Sequence, residues 1–255
     1  MLSHVSRGDC ALNIMLTLAY DGTNYSGWQK QENSVAVQEI LETALSKAYG
    51  TNIIVKGTSR TDAGVHALDQ RAVFEISETP IPVKRLPVVI NNLLPDDISV
   101  LGACEVSAEF AWDFSAAEKT YLYKICNNRY RNPLMANYCW HISKPLNIAL
   151  MQEAAAYFIG EHDFIGFSAT GSPRLSSVRT IYDLNVSEKD NIITISVTGN
   201  GFLYNMVRII AGTLVYVGLG KVKPAEIPHI IKSKDRTLAG PTAPSHGLVL
   251  AKLVF

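Results

Sequence analysis

Residues 12–19 form a short apolar run of strand character, closed by the turn signal Asp21-Gly22. The period then changes. Val37, Ile40, Leu41, Ala44, Leu45 and Ala48 recur at three and four residues, which predicts an amphipathic helix with Ser34 as N-cap and Gly50 as its end. Residues 53–55 and 72–76 read as strands, residues 84–92 as a short helix and residues 98–101 as another strand, in the order β-α-β-β-α-β. The second half repeats that order in outline. A strand over residues 120–125 leads to a helix over residues 148–159, capped by Asn147 and ended by Gly160. Residues 181–186 and 192–197 pair around Lys189-Asp190-Asn191. An apolar helix from Asn205, a helix started by Pro224 and a strand over residues 248–254 complete the chain.

The pattern predicts an α+β protein of two similar lobes, with mainly antiparallel sheets flanked by helices and a cleft between them. The lobes are residues 12–103 and 104–255, with their boundary near residues 103–118. At 255 residues the chain buries an ample core without metal or disulfide staples. Cys10, Cys104, Cys126 and Cys139 have no CxxC spacing, which fits reduced thiols in a cytoplasmic protein. The first ten residues lack an apolar signal region, and residues 206–219 fall short of a membrane span and contain Arg208. A soluble, unexported protein with no membrane association is expected.

The 23 basic and 23 acidic residues cancel, so any nucleic-acid surface must come from local segregation of charge. Lys119, Lys124, Arg129, Arg131 and Lys144 face only Glu118 in their stretch, and Lys221, Lys223, Lys232, Lys234 and Arg236 form a second basic run. Both also fit ordinary solvated surfaces. Residues 171–177, rich in Ser, Gly and Pro, read as an exposed loop carrying Arg174, with Arg179 just beyond.

Three stretches carry candidate chemistry. Residues 57–67, GTSRTDAGVHA, are a glycine-containing polar run between apolar strands, in which Asp62 is the only carboxylate and Arg60 the only cation. Asp62 either faces a cleft or closes an Asx-turn. Residues 201–220 are apolar nearly throughout, and Arg208 is their only charged side chain. A buried guanidinium without a partner costs several kcal/mol, roughly, so Arg208 calls for a carboxylate, and Asp62 is a strong candidate that the pair would keep ionised. In residues 119–125, KTYLYKI, alternation puts Tyr121, Tyr123 and Ile125 on one face, as a packing pair or as a stacking platform.

SRTDAGVHA, KTYLYKI and GFLYNMVRIIAG, together with YDGTNYSGWQ at residues 20–29, resemble in sequence and order the signature segments of the TruA family of tRNA pseudouridine synthases. The resemblance runs from about residue 12 to the C-terminus and leaves residues 1–11 as an unmatched tail. It implies the pseudouridine synthase fold and isomerisation of uridine in the anticodon stem-loop of tRNA, at positions 38, 39 and 40. It also implies Asp62 as nucleophile, Arg60 as the residue holding the uridine out of the helix, Tyr121 in stacking and proton handling, and Arg208 paired with Asp62. A homodimer is expected, with no cofactor and no metal. Ser59 stands where many members have glycine, a small residue for a small residue, with little expected consequence.

The reaction breaks the C1′ to N1 bond, turns the uracil and rejoins it through C5, with neither redox change nor net hydrolysis. An ionised Asp62 attacks C1′ or C6 or abstracts a sugar proton, and Tyr121 is the candidate to remove the C5 proton. Two rival readings make other demands. A hydrolase would use Ser59, Asp62 and His66 as a local triad, although three members on one short loop fit that geometry badly. A non-catalytic RNA-binding module would use Tyr121 and Tyr123 as platforms and would not need Asp62. His66 is expected to pack the loop or bond its backbone.

Overall fold

A computed structural model describes residues 11–169 and 176–255. Residues 1–10, the N-terminal tail, and residues 170–175, which include Arg174, lie outside the described residues. The elements of the first half are β1 (Leu12–Tyr20), α1 (Val37–Tyr49), β2 (Lys56–Gly57), β3 (His66–Ile76), α2 (Leu86–Asn91), β4 (Ile98–Val106) and α3 (Ala108–Trp112). Those of the second are β5 (Glu118–Cys126), β6 (Trp140–His141), α4 (Ile148–Ala156), β7 (Gly160–Asp163), β8 (Val178–Lys189), β9 (Ile192–Gly199), α5 (Met206–Gly218), α6 (Ile227–Ser233) and β10 (Leu248–Val254).

The α+β class holds, and the strands of both halves join in one sheet of order β4-β1-β3-β10-β5-β9-β8-β7, with β2 on β3 and β6 on β5. Every pairing along that path is antiparallel except β3 with β10, where the halves meet in parallel at His66 and Ala67. This join positions the site. Leu250 registers with Ala67 on one side and with Tyr121 on the other, so the end of the Asp62 loop and Tyr121 stand two strand spacings apart, about 10 Å. Alternation along β1, β5 and β9 leaves Leu16, Leu18, Tyr123, Ile125, Ile195 and Val197 all but sealed on one face, beneath the helices. α5 is buried on almost all sides, as its apolar sequence requires.

Four local expectations change. α1 starts at Val37 after Ala36, with no side-chain cap, and Ser34 lies two residues short of the cap position in a backbone bridge with Gln31; Gly50 does close the helix in the left-handed conformation at φ 68°. Residues 53–55 are extended but form no strand. Ile53 N donates to Ser46 Oγ at 2.9 Å, Val55 N to Glu42 Oε1 at 3.1 Å, and Gln38 Nε2 to Val55 O at 3.0 Å, so side chains from one stripe of α1 take the bonds a ladder would have supplied. β3 begins at His66 rather than residue 72, since its polar residues find internal partners. Asp69 holds Arg71 at 2.7 Å and accepts from Leu253 N at 2.9 Å. α4 ends at Ala156, short of the expected residue 159, while Asn147 caps it by accepting from Leu150 N at 3.1 Å.

Candidate active site

The Asp62 loop is held in shape by segments outside it. Tyr20 Oη and Thr61 Oγ1 are 2.7 Å apart, Trp28 N donates to Thr61 O at 3.1 Å, and Gly64 N donates to Tyr25 O at 3.2 Å. Gly27 runs at φ +96°, and a Cβ there would stand 2.4 Å from Thr61 O, so only glycine lets residues 20–29 lie against the loop. From the opposite side the fully buried Gln70 donates Nε2 to Ser59 O at 2.7 Å, and Lys119 Nζ donates to Thr58 O at 3.1 Å. The turn is closed by the main chain, Val65 N to Asp62 O at 3.1 Å. Among the described residues no backbone N–H bonds the Asp62 carboxylate, so the Asx-turn is not formed and the side chain faces the cavity.

That cavity measures about 780 Å³, within the range of small-ligand sites. Arg60, Asp62 and Val65 wall it from the first half, and Tyr121, Phe202 and Leu248 from the second. Arg208 stands in the first turn of α5 with Nη1 3.7 Å from Asp62 Oδ2, the two side chains 17% and 26% exposed. This is a charge pair longer than a hydrogen bond. The directed bonds of the guanidinium go to Asn205 Oδ1 at 2.6 Å and Ala243 O at 2.7 Å. Asn205 itself holds φ 61°, a left-handed conformation uncommon outside glycine, immediately before the helix.

Burial pushes the Asp62 carboxyl above its ordinary 3.8, and the Arg208 charge opposes that rise without cancelling it. Arg208 favours the ionised form, the direction expected of the pair, and desolvation is the larger influence. Tyr121 is 7% exposed, its hydroxyl 3.1 Å from Ser59 Oγ and its ring edge-on to Phe202 at 5.4 Å. Burial pushes its phenol up to about 12, and the Asp62 charge adds to the rise. Ser59, expected to matter little, is the hydrogen-bond partner of the Tyr121 hydroxyl. Tyr123 departs into the core, fully buried, donating to Pro244 O at 2.9 Å, and offers no face to a base. Arg60 is exposed at the mouth of the cavity.

His66 cannot serve as a triad base. Its Nδ1 stands 3.0 Å from both Gly22 N and Asp21 Oδ1, and its Nε2 stands 2.9 Å from Asn137 O and 3.2 Å from His246 O, so both ring nitrogens are engaged away from Ser59. Three segments therefore converge on one buried imidazole, the loop-packing role expected of it. Among the described residues no group of three His, Cys, Asp or Glu is placed to hold a metal, and no helix is long and apolar enough to cross a membrane. The basic runs divide. Lys234 pairs with Asp163 at 2.7 Å and Arg236 bonds Gly240 O and Thr242 Oγ1, both within the fold, while Arg129, Arg131 and Lys144 are exposed.

The family model described as tRNA pseudouridine synthase matches residues 17–115 and 154–255, the spans that contain Asp62 and Arg208. The chain belongs to the tRNA pseudouridine synthase family. Proteins named tRNA pseudouridine synthase A from Thermoanaerobacter sp. (strain X514), Caldicellulosiruptor saccharolyticus and Clostridium acetobutylicum are 53%, 48% and 46% identical to it over 243 residues, 95% of this chain and 99% of each relative. For a tRNA pseudouridine synthase the geometry adds residues that sequence reasoning passed over. Tyr20, Gln70 and Asn205 hold the Asp62 loop or Arg208 in place, and Phe202 walls the cavity against Tyr121. Gln70 lay outside the strand expected over residues 72–76, and nothing local tied it to Ser59.

Proposed function

We propose that this tRNA pseudouridine synthase family member isomerises uridine to pseudouridine in the anticodon stem-loop of tRNA, at positions 38, 39 and 40, with Asp62 as its reacting carboxylate. The observation that carries the proposal is the Asp62 side chain, turned into a 780 Å³ cavity 3.7 Å from Arg208 and walled by Tyr121. Two lobes, residues 12–103 and 104–255, supply opposite walls of that cavity. A uridine extruded from the helix at a cost of a few kcal/mol, roughly, enters between them, with Arg60 at the mouth keeping it out of the stack. Attack at C1′, attack at C6 and abstraction of a sugar proton all start from the ionised Asp62. The enclosed pocket keeps water from the cleaved base until C1′ rejoins C5.

The final step removes the C5 proton and leaves a proton on N1. Its loss restores the conjugated ring, so a weak base suffices. Tyr121, a neutral phenol at physiological pH, acts here as a relay: its oxygen takes the C5 proton as its own hydroxyl proton passes on, by way of Ser59 Oγ at 3.1 Å, to N1, which gains the proton that C5 loses. No cofactor takes part. The enzyme acts in the cytoplasm as a homodimer, because one chain of zero net charge offers little positive surface to a tRNA and a two-fold axis doubles it. Incubating the protein with uridine-containing tRNA transcripts, without added metal or nucleotide, and mapping pseudouridine at nucleotide resolution tests the reading. Product at positions 38–40 is expected, and none at any position would overturn it.

A further inference from the structure

Sheet register brings together two cations that have no part in the bond-making steps of the isomerisation. Lys119 lies opposite Gly199 on β9, and Gly199 lies opposite Ile181 on β8. Opposed residues of antiparallel strands share a face, as do residues two apart on one strand. Lys119 therefore shares the face of Tyr121, about 7 Å away along β5, and Arg179 shares the face of Ile181 in the row beyond. Gly199 between them has no side chain, and the cavity wall Phe202 covers its place, with Cζ 3.4 Å from where a Cβ would stand. The Arg179 side chain lies against Gly201, Nε 3.6 Å from the corresponding position there, and its Nη1 is anchored by donating to Ser176 O at 3.0 Å and Val178 O at 2.6 Å.

Lys119 reaches from the sheet to the start of the Asp62 loop, where Nζ donates to Thr58 O, two residues before Arg60. Among the described residues no ion pair engages Lys119, and Thr58 O is the acceptor of only one of its three N–H groups. Burial first and the Arg179 charge second hold its amine below the ordinary lysine range. An anion between the two would favour the charged amine and so oppose both influences.

We propose that Lys119 and Arg179 form a phosphate subsite beside the cavity, next to its wall residue Phe202, binding a backbone phosphodiester that flanks the extruded uridine. This rests on the reading of the cavity as the uridine site. A nucleotide rotated out of a helix carries its flanking phosphates with it, and two cations fixed to the sheet that holds Tyr121 keep the rotated backbone in register with the base. The charged linkage and not the base is recognised, so the subsite serves any sequence around the target.

Anticodon stem-loop RNAs in which one linkage beside the target uridine is an uncharged methylphosphonate test this directly. Binding of the parent is expected to weaken about tenfold for one of the two linkages, while the Lys119→Met, Arg179→Gln double variant binds charged and neutral RNAs alike and has a salt slope shallower by about 0.7 per lost phosphate contact. Lys119→Arg should retain the linkage penalty, which loss of packing alone would not explain. An equal penalty in parent and double variant, or none in either, would overturn the subsite. A parent that converts uridine in tRNA yet shows no linkage penalty sinks the subsite alone; one that converts none sinks the reading beneath it.

Discussion

Replacing Arg208 by Met removes the one charge that opposes the desolvation of Asp62. Unit charges 3.7 Å apart attract by about 4 kcal/mol at the effective dielectric of a partly buried site. Both side chains retain some exposure and no direct hydrogen bond joins them, so about half of that, near 2 kcal/mol, is expected to survive screening. Two kcal/mol is about thirtyfold in the ratio of ionised to protonated Asp62 at a fixed pH. The sign follows from the direction of the perturbation. Burial already raises the Asp62 carboxyl above its ordinary value, loss of Arg208 raises it further, and activity requires the ionised form. On the acid limb, Arg208→Met should therefore be about thirtyfold slower than the parent at equal pH, and the deficit should narrow as pH rises. Release of tritium from tRNA labelled at uridine C5, under single-turnover conditions with enzyme saturating, reads this separately from tRNA affinity, which should change less than threefold. Arg208 also bonds Asn205 and Ala243, so Arg208→Lys, which keeps the charge, should recover most of the acid limb. An acid limb that stays in place in Arg208→Met, or moves to lower pH, would refute the electrostatic role.

Tyr121→Phe keeps the ring against Phe202 and loses the hydroxyl, so turnover should fall at least tenfold with tRNA affinity within threefold; equal turnover would confine Tyr121 to packing. Asp62→Asn should raise thermal stability at neutral pH. A folded-state carboxyl raised above its unfolded value costs stability in its ionised form, fully so above the folded value, and the cost vanishes below the unfolded one. The stability gap between variant and parent should thus close on acidification, and a variant less stable than the parent at neutral pH would contradict the burial argument. Light scattering at micromolar concentration should give about twice the 27.9 kDa chain mass, and a fully active monomer would exclude the dimer.

Legibility from sequence followed the range of the interactions. α5 and the β8–β9 hairpin were readable because their signals are local, an apolar run in one case and Asp190-Asn191 at positive φ in the other. The stretch at residues 53–55 was not, because its bonds run to Ser46, Glu42 and Gln38 on α1. Nor was the parallel join of β3 with β10, whose partners are far apart in the chain and whose first strand opens on polar residues. At the site, a single cation on an apolar helix pointed to Arg208 beside Asp62, and the two stand 3.7 Å apart, near each other but outside the hydrogen-bonding distance expected of the pair. What sequence could not show was that the directed bonds of that cation end on Asn205 and Ala243, since the second arrives from a segment with no motif of its own. The Ser59 contact was out of reach for the same reason, its partner Tyr121 lying on a distant strand.

The central claim is that the Asp62 carboxylate starts the reaction, and the most direct test compares Asp62→Asn with the parent on the same tRNA transcripts. The amide preserves shape and leaves the bond network around the loop intact, since among the described residues no backbone group bonds the Asp62 side chain. The account predicts that the variant binds tRNA within a few-fold of the parent and forms no detectable pseudouridine in single turnover. Turnover within tenfold of the parent would contradict it and remove Asp62 from the centre of the mechanism.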